Sequence, residues 1–271
     1  MLGTRDIKEY LDFAKLISIK GGEVLKSYWG KLSDLHIREK KFPGDLVTEA
    51  DKLSEEKIIE IIKKDCPSHA ILSEEAGFLS SEKDEFLWVI DPLDGTTNYT
   101  HQFPFVAVSI ALLYRRIPIV GVVYNPILEE LFCAAKTFGA FLNEKKICVS
   151  ETSELSNSLL VTGFPYDRRE NLDNNFQEFI QLTNLTQGVR RIGAASLDLA
   201  YVASGKLDGF WEKGLKPWDM AAGALLVEEA RGKVSSYDNT PLDLMASKIL
   251  ASNGKLHEAI SKELLGVLSR S

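Results

Sequence analysis

The chain has little of what zinc centres, disulfide frameworks and membrane spans require. Three cysteines, Cys66, Cys133 and Cys148, are scattered through 271 residues. They form no CxxC pair, which sets aside a zinc site and a disulfide scaffold. Four histidines, His36, His69, His101 and His257, show no ligand spacing. No serine or cysteine sits in a nucleophile elbow, which favours water as the nucleophile in any hydrolytic reaction. The longest apolar stretches, such as 106–114, are far short of the roughly 20 residues that span a bilayer. Met1 to Asp6 lacks the charged-then-apolar pattern of a secretory signal, so a cytoplasmic protein with reduced thiols and no membrane association is expected. A positive excess is also missing: 39 acidic residues face 32 basic ones, a net charge of −7. That argues against nucleic acid as the main partner, since phosphate backbones reward basic stripes. The pairs Arg115-Arg116, Lys145-Lys146 and Arg190-Arg191 read as solvated faces.

What is present is an ordinary globular composition, 45% hydrophobic and 26% charged. Apolar spacing predicts a helix over 6–29, broken or closely packed at Gly21-Gly22, and a second over 48–64 with Thr48 as N-cap and Asp51 in its first turn. Short strands are expected at 70–72 and 86–90, then an antiparallel meander at 106–114, 118–124 and 130–134. A polar, acidic segment at 150–157 suggests a boundary between an N-terminal α+β domain, 1–150, and a C-terminal α/β domain, 151–271. The second half reads as alternating elements: strands at 159–162, near Val189, near Val234 and at 249–251, with helices at about 171–184, 194–204, 218–230 and 255–268. This is a layered α/β arrangement.

The run Trp88-Val89-Ile90-Asp91-Pro92-Leu93-Asp94-Gly95-Thr96-Thr97-Asn98-Tyr99 carries the most chemistry. An apolar strand ends on a carboxylate, a proline turns the chain out of the strand, and a second carboxylate precedes a tight Asp-Gly turn. Two such acids repel by roughly 4 kcal/mol at 4 Å for an effective dielectric near 20. A fold that keeps them close offsets that repulsion with a cation, and oxygen ligands suit Mg²⁺ or Mn²⁺. Backbone N–H groups at the helix start that follows would face a bound phosphate. Taken alone, the segment is also readable as a plain strand-to-turn connection. In Ile71-Leu72-Ser73-Glu74-Glu75-Ala76-Gly77 another apolar strand ends on acids, although such pairs are common on solvated surfaces. In Trp218-Asp219-Met220-Ala221-Ala222-Gly223, after Lys216-Pro217, Asp219 opens a helix whose small residues allow close packing; by itself it reads as a capping acid.

These three motifs, in this order and spacing, resemble the inositol monophosphatase family of Mg²⁺-dependent, lithium-sensitive phosphatases, over essentially the whole chain. The resemblance implies a five-layer α/β/α/β/α sandwich, shared with fructose-1,6-bisphosphatase, and a homodimer. It implies that Asp91 bridges two metals, that Glu74 and the Leu93 carbonyl complete the first site, and that Asp94 and Asp219 complete the second. Two or three Mg²⁺ ions are implied, with Mn²⁺ as a possible substitute. Glu74, Thr96 and, behind Thr96, Asp51 would orient and deprotonate the attacking water. On the substrate side, Gly95 and Thr96 N–H groups would hold the phosphate, Asp94 and Asp219 would lie at the ester, and Gly193, Ala195 and Glu212 would line the alcohol. Asp45 and Lys40 match positions near the metal site without an assigned role, and Ser196 and Asp198 do not settle the substrate.

The implied reaction is hydrolysis of a small phosphate monoester, myo-inositol monophosphate or a related sugar-alcohol phosphate. Histidinol phosphate, fructose 1,6-bisphosphate and 3′-phosphoadenosine nucleotides remain open, because the relatives share the core motifs. A different class also remains: a dimeric regulatory or scaffold protein contacting transcription machinery. Retention of mutually repelling acids weighs against a purely non-catalytic role.

Overall fold

The computed structural model describes residues 4–31, 37–80 and 85–268. His36 and the first three residues of the N-terminal segment lie outside them. Helix α1 (Thr4–Tyr28) is followed by a short hairpin, β1 (Arg38–Glu39) and β2 (Leu46–Val47), and by α2 (Glu49–Asp65). Gly21-Gly22 does not break α1. A Cβ at Gly21 would meet Ile58 Cδ1 at 2.7 Å, and one at Gly22 would meet the Tyr124 ring at 2.6 Å. The pair is therefore a contact point, where α1 lies closer to its neighbours than a side chain would permit. Helix α2 starts at a capping box. Thr48 Oγ1 accepts from the N–H of Ala50 at 3.2 Å and of Asp51 at 3.4 Å, while Asp51 Oδ2 accepts from Thr48 N–H at 2.9 Å. A cap of this kind contributes about 1 kcal/mol.

Strands β3 (Ala70–Ser73), β4 (Gly77–Leu79) and β5 (Phe86–Asp94) precede a one-turn helix, α3 (Thr96–Thr100). Then come β6 (Ala107–Tyr114), β7 (Ile117–Asn125), β8 (Glu130–Ala135), β9 (Gly139–Leu142) and β10 (Lys145–Ile147). They form an eight-stranded sheet in the order β10-β9-β8-β7-β6-β5-β3-β4. The expected meander is there, and β9 and β10 extend it. Among the described residues of this sheet only the β3–β5 pairing is parallel.

Pro92 does not end its strand, contrary to the sequence reading. Asp91 pairs with Ser109 and Asp94 with Ala107, so one extra residue on β5 forms a bulge. The bulge accommodates a residue that cannot donate to the ladder. It also has a geometric effect: residues three apart in a regular strand face opposite sides, and one inserted residue returns them to the same side.

The second half contains β11 (Leu159–Thr162), α4 (Phe176–Thr183), β12 (Gly188–Arg190), α5 (Ala195–Ala203) and β13 (Gly209–Lys213). It continues with α6 (Pro217–Glu229), β14 (Lys233–Ser235), β15 (Lys248–Ser252) and α7 (His257–Leu268). Its five-stranded sheet runs β12-β11-β13-β15-β14. Helix α4 starts later than expected, at Phe176, because residues 171–175 form a loop that ends with Asn175 at φ +72°. The central strand β13 was not anticipated. All five of its residues are buried, so it shows no alternation for a pattern to detect.

The layers follow. Helices α1 and α2 cover one face of the large sheet, α5 and α6 lie between the two sheets, and α4 and α7 cover the far face of the small one. Ala221, Ala222 and Gly223 make the middle layer tight. A Cβ at Gly121 of β7 would come within 2.8 Å of the Ala222 carbonyl, and one at Gly223 within 2.5 Å of Leu199 Cβ. Phe132, Leu199, Phe210 and Leu226 sit in one buried cluster drawn from both sheets. Among the described residues no helix is long and apolar enough to cross a membrane.

Candidate active site

The parallel pairing of β3 and β5 brings their C-terminal ends out side by side. Ser73 pairs with Ile90, and Glu74 N–H donates to the Ile90 carbonyl at 3.2 Å. Glu74 thus emerges next to Asp91. Asp219 arrives from the other half, on the first turn of α6, which is fastened to the large sheet where Ser109 Oγ donates to the Trp218 carbonyl at 3.1 Å. An open cleft of about 230 Å³ results, lined by Glu74, Asp91, Leu93, Asp94, Gly95, Thr96 and Asp219 together with Lys40, Asp45, Tyr166, Gly214, Lys216 and Trp218.

Each residue of the loop after β5 has a local task. Asp91 Oδ1 accepts from Leu93 N–H at 3.0 Å, which shapes the bulge. Gly95 has φ +89°. A Cβ there would also lie 2.9 Å from the Phe105 carbonyl, so both conformation and space require glycine. Thr96 Oγ1 lies 3.1 Å from both Asp51 Oδ1 and the Leu93 carbonyl. Thr97 Oγ1 donates to the Gly44 carbonyl at 3.3 Å, tying the β1–β2 hairpin to the site. Asn98 Nδ2 donates to the carbonyls of Phe105 and Ile192, both at 2.9 Å, and so joins the two halves. Tyr99 Oη donates to the Leu25 carbonyl at 2.6 Å. Helix α3 is only five residues long, so a phosphate here would meet loop N–H groups rather than the end of a long helix.

Asp51 serves two readings at once. It caps α2, and its other oxygen reaches Thr96 from behind the cleft, where it is fully buried. Burial pushes its carboxyl up to about 7, with the Glu74 charge adding to the rise and bonds from Thr48 and Thr96 opposing it. Asp94 is raised to about 6 by burial, against donation from Ser196. Asp91 and Asp219 lie well above the ordinary carboxylate range, first through burial and then through neighbouring acids. Glu74 is also raised by burial, with Lys40 pulling it back and Asp91 within hydrogen-bonding reach.

Four crowded acids with raised pKa values form a site that holds either protons or cations. The donor set is all oxygen, which fits a hard divalent ion. Among the described residues, however, no three acid, histidine or cysteine side chains already surround one point as ligands. Other donors satisfy them instead. Lys40 Nζ pairs with Glu74 at 2.7 Å and with Glu75. Ser196 donates to Asp94 Oδ2 from its N–H at 2.7 Å and its hydroxyl at 2.5 Å. Lys216 N–H donates to Asp219 Oδ2 at 2.6 Å.

The residues expected to line the alcohol are close by but do not line the same cleft. Gly193 is covered by the Arg191 guanidinium, which an added Cβ would meet at 2.5 Å. Ala195 is buried in the first turn of α5. Glu212 lies against Gly163, where an added Cβ would fall 2.2 Å from its carboxylate. Burial pushes Glu212 up to about 8, opposed by Arg191. The sequence reading gave no individual role in the site to Ser196, Asn98, Arg191, Tyr166 or Lys216. Only Ser196, next to the Gly-Ala-Ala run, carried a local signal, as a hydroxyl at a helix start.

The model of the Inositol monophosphatase family matches residues 6–268. An inositol-1-monophosphatase from Synechocystis sp. is 55% identical over 259 residues, 96% of this chain and 90% of that protein. The Nus factor SuhB of Pseudomonas aeruginosa is 44% identical over 254 residues, 92% of this chain and 93% of that one. The structure of an inositol monophosphatase from Anabaena (Nostoc) sp. superposes with a TM-score of 0.88 at 50% identity, covering 96% of this chain and 97% of that one.

Proposed function

The chain belongs to the inositol monophosphatase family, metal-dependent phosphatases, and from that premise we propose that it hydrolyses myo-inositol monophosphate or a related sugar-alcohol phosphate with Mg²⁺. The observation that carries the reading is the meeting of Glu74, Asp91, Asp94 and Asp219 on one cleft, each with a raised pKa. Those carboxylates and the Leu93 carbonyl are the groups proposed to hold two or three Mg²⁺ ions, with Mn²⁺ as a substitute. Bound there, a divalent ion supplies Lewis acidity to the ester and acidifies a water.

The chain's own groups do the rest. Thr96, steadied by Asp51, presents its hydroxyl oxygen to the attacking water as acceptor. Glu74 takes the proton. Gly95 and Thr96 N–H groups hold the phosphate oxygens as charge grows on them. Gly193, Ala195 and Glu212 receive the alcohol, with Asp94 and Asp219 at the ester between the two ends. A boundary near residue 150 is proposed to separate the part carrying most of the acids from the part carrying Asp219 and the alcohol side.

Phosphate release from inositol 1-phosphate, with and without Mg²⁺, tests the reading. Mg²⁺-dependent release is expected. The same premise supports lithium inhibition, a homodimer and a cytoplasmic setting, which lithium titration, light scattering and cell fractionation would check. One observation favours a second reading, a regulatory or scaffold role: the 44% identity to a protein named Nus factor SuhB. No release from any ester in a phosphomonoester panel at saturating Mg²⁺ would promote it.

A further inference from the structure

The loop of residues 164–175 has no part in the proposed chemistry, yet it is anchored from several sides. Asn175 Nδ2 donates to Thr162 Oγ1 at 2.8 Å and to the Gly163 carbonyl at 2.6 Å, and its Oδ1 accepts from Trp211 Nε1 at 2.8 Å. Asp173 pairs with Lys248 at 3.0 Å and with Lys213, whose ammonium is buried against Glu178 at 2.5 Å. At the near end Pro165 packs on Gly214, where an added Cβ would come within 2.7 Å of the proline ring. Gly214 has φ +81°, so both its conformation and this contact require a bare α-carbon.

The residue so positioned is Tyr166, which lines the cleft and is 48% exposed. It shares that cleft with Glu74, Asp219, Asp45 and Asp94. A tyrosine hydroxyl, with an ordinary pKa of roughly 10, keeps its proton at neutral pH. Among the described residues no hydrogen-bond partner is found for that hydroxyl. A donor without an acceptor, on an anchored loop at a cleft rich in acids, is matched to an anion that enters with cations.

We propose that Tyr166 is a substrate-binding residue whose hydroxyl donates to the phosphate group from the C-terminal wall of the cleft, complementing the Gly95 and Thr96 N–H groups on the other half. The proposal rests on the phosphomonoesterase reading. It places the contact on the part common to all phosphomonoesters rather than on the alcohol, so Tyr166 governs affinity for every such ester alike.

The test is binding of inorganic phosphate to the Mg²⁺-loaded protein, read by thermal shift and so independent of turnover, in wild type, Tyr166→Phe and Tyr166→Ala. Loss of a hydrogen bond to a charged group is expected to weaken phosphate binding roughly ten-fold in Tyr166→Phe. Melting without phosphate and the Mg²⁺ midpoint should stay at wild-type values. In turnover, KM for inositol 1-phosphate and for 4-nitrophenyl phosphate should rise by the same factor with kcat little changed. Phosphate affinity in Tyr166→Phe within two-fold of wild type overturns the proposal alone. No phosphate-dependent shift in the wild type overturns it together with the proposed function. A rise in KM confined to inositol 1-phosphate overturns it too, by moving the contact to the alcohol.

Discussion

Stripping divalent ions from this protein should make its stability fall as pH rises, and Asp51 is where the effect can be sized. Its carboxyl is fully buried and goes from 3.8 to about 7. A raised carboxylate pKa means that the folded state keeps a proton the unfolded state has released. The stability is therefore intact below about pH 4 and lost progressively as pH climbs towards 7. At 1.36 kcal/mol per unit, the full loss is about 4 kcal/mol. Asp94, raised to about 6, and Glu212, raised to about 8, act in the same direction.

The assay is urea unfolding in excess chelator at half-unit steps from pH 5 to pH 8. Asp51→Asn keeps an acceptor oxygen towards the Thr48 N–H, turns its NH2 towards the Thr96 hydroxyl oxygen, and cannot ionise. Between pH 5 and 7 its stability should fall less steeply than wild type, by about 1 kcal/mol per pH unit. Saturating Mg²⁺ should flatten the wild-type profile by replacing protons at the clustered acids. Equal slopes for wild type and variant in chelator would refute the assignment of an uncompensated buried charge to Asp51.

Other substitutions probe the site separately. Asp94→Asn and Asp219→Asn should keep wild-type circular dichroism while kcat falls at least a hundred-fold at saturating Mg²⁺, about 3 kcal/mol of transition-state stabilisation; near-normal turnover would remove both from the mechanism. Thr96→Ala should lower kcat by roughly ten- to a hundred-fold with little change in KM, and an effect on KM alone would reduce Thr96 to a binding role. Gly163→Ala forces the Glu212 carboxylate off its seat, so KM for inositol 1-phosphate should rise by roughly ten-fold, with hydrolysis of 4-nitrophenyl phosphate affected less.

Legibility in the sequence follows the range over which each feature is determined. The capping box at Thr48 and Asp51, the meander, and the Gly95 turn rest on neighbours within a few residues, so spacing and residue type reveal them. The bulge at Pro92 was misread because a proline ends most strands. What keeps the chain in the sheet is β6, which resumes pairing at Ala107 and supplies a partner no local window contains. Strand β13 was invisible for the opposite reason: it is buried on both faces, and Gly209 is packed against Ile260 and Leu160. Within the site, the acids announced themselves through contiguous motifs. Of their donors, Lys216 sits three residues from Asp219, but Lys40 and Ser196 serve them only across the fold, over 34 residues for Glu74 and 102 for Asp94.

Asp94 has one further consequence. Its Oδ2 accepts from Ser196 in the first turn of α5, the helix that starts two residues beyond Gly193. The proposed metal-holding loop and the proposed alcohol side thus share a single atom, and a change at that atom would alter both at once. Glu212 hangs instead from β13, outside that clamp. Preference among leaving groups can therefore be rewritten there while the hydrolytic apparatus stays as it is.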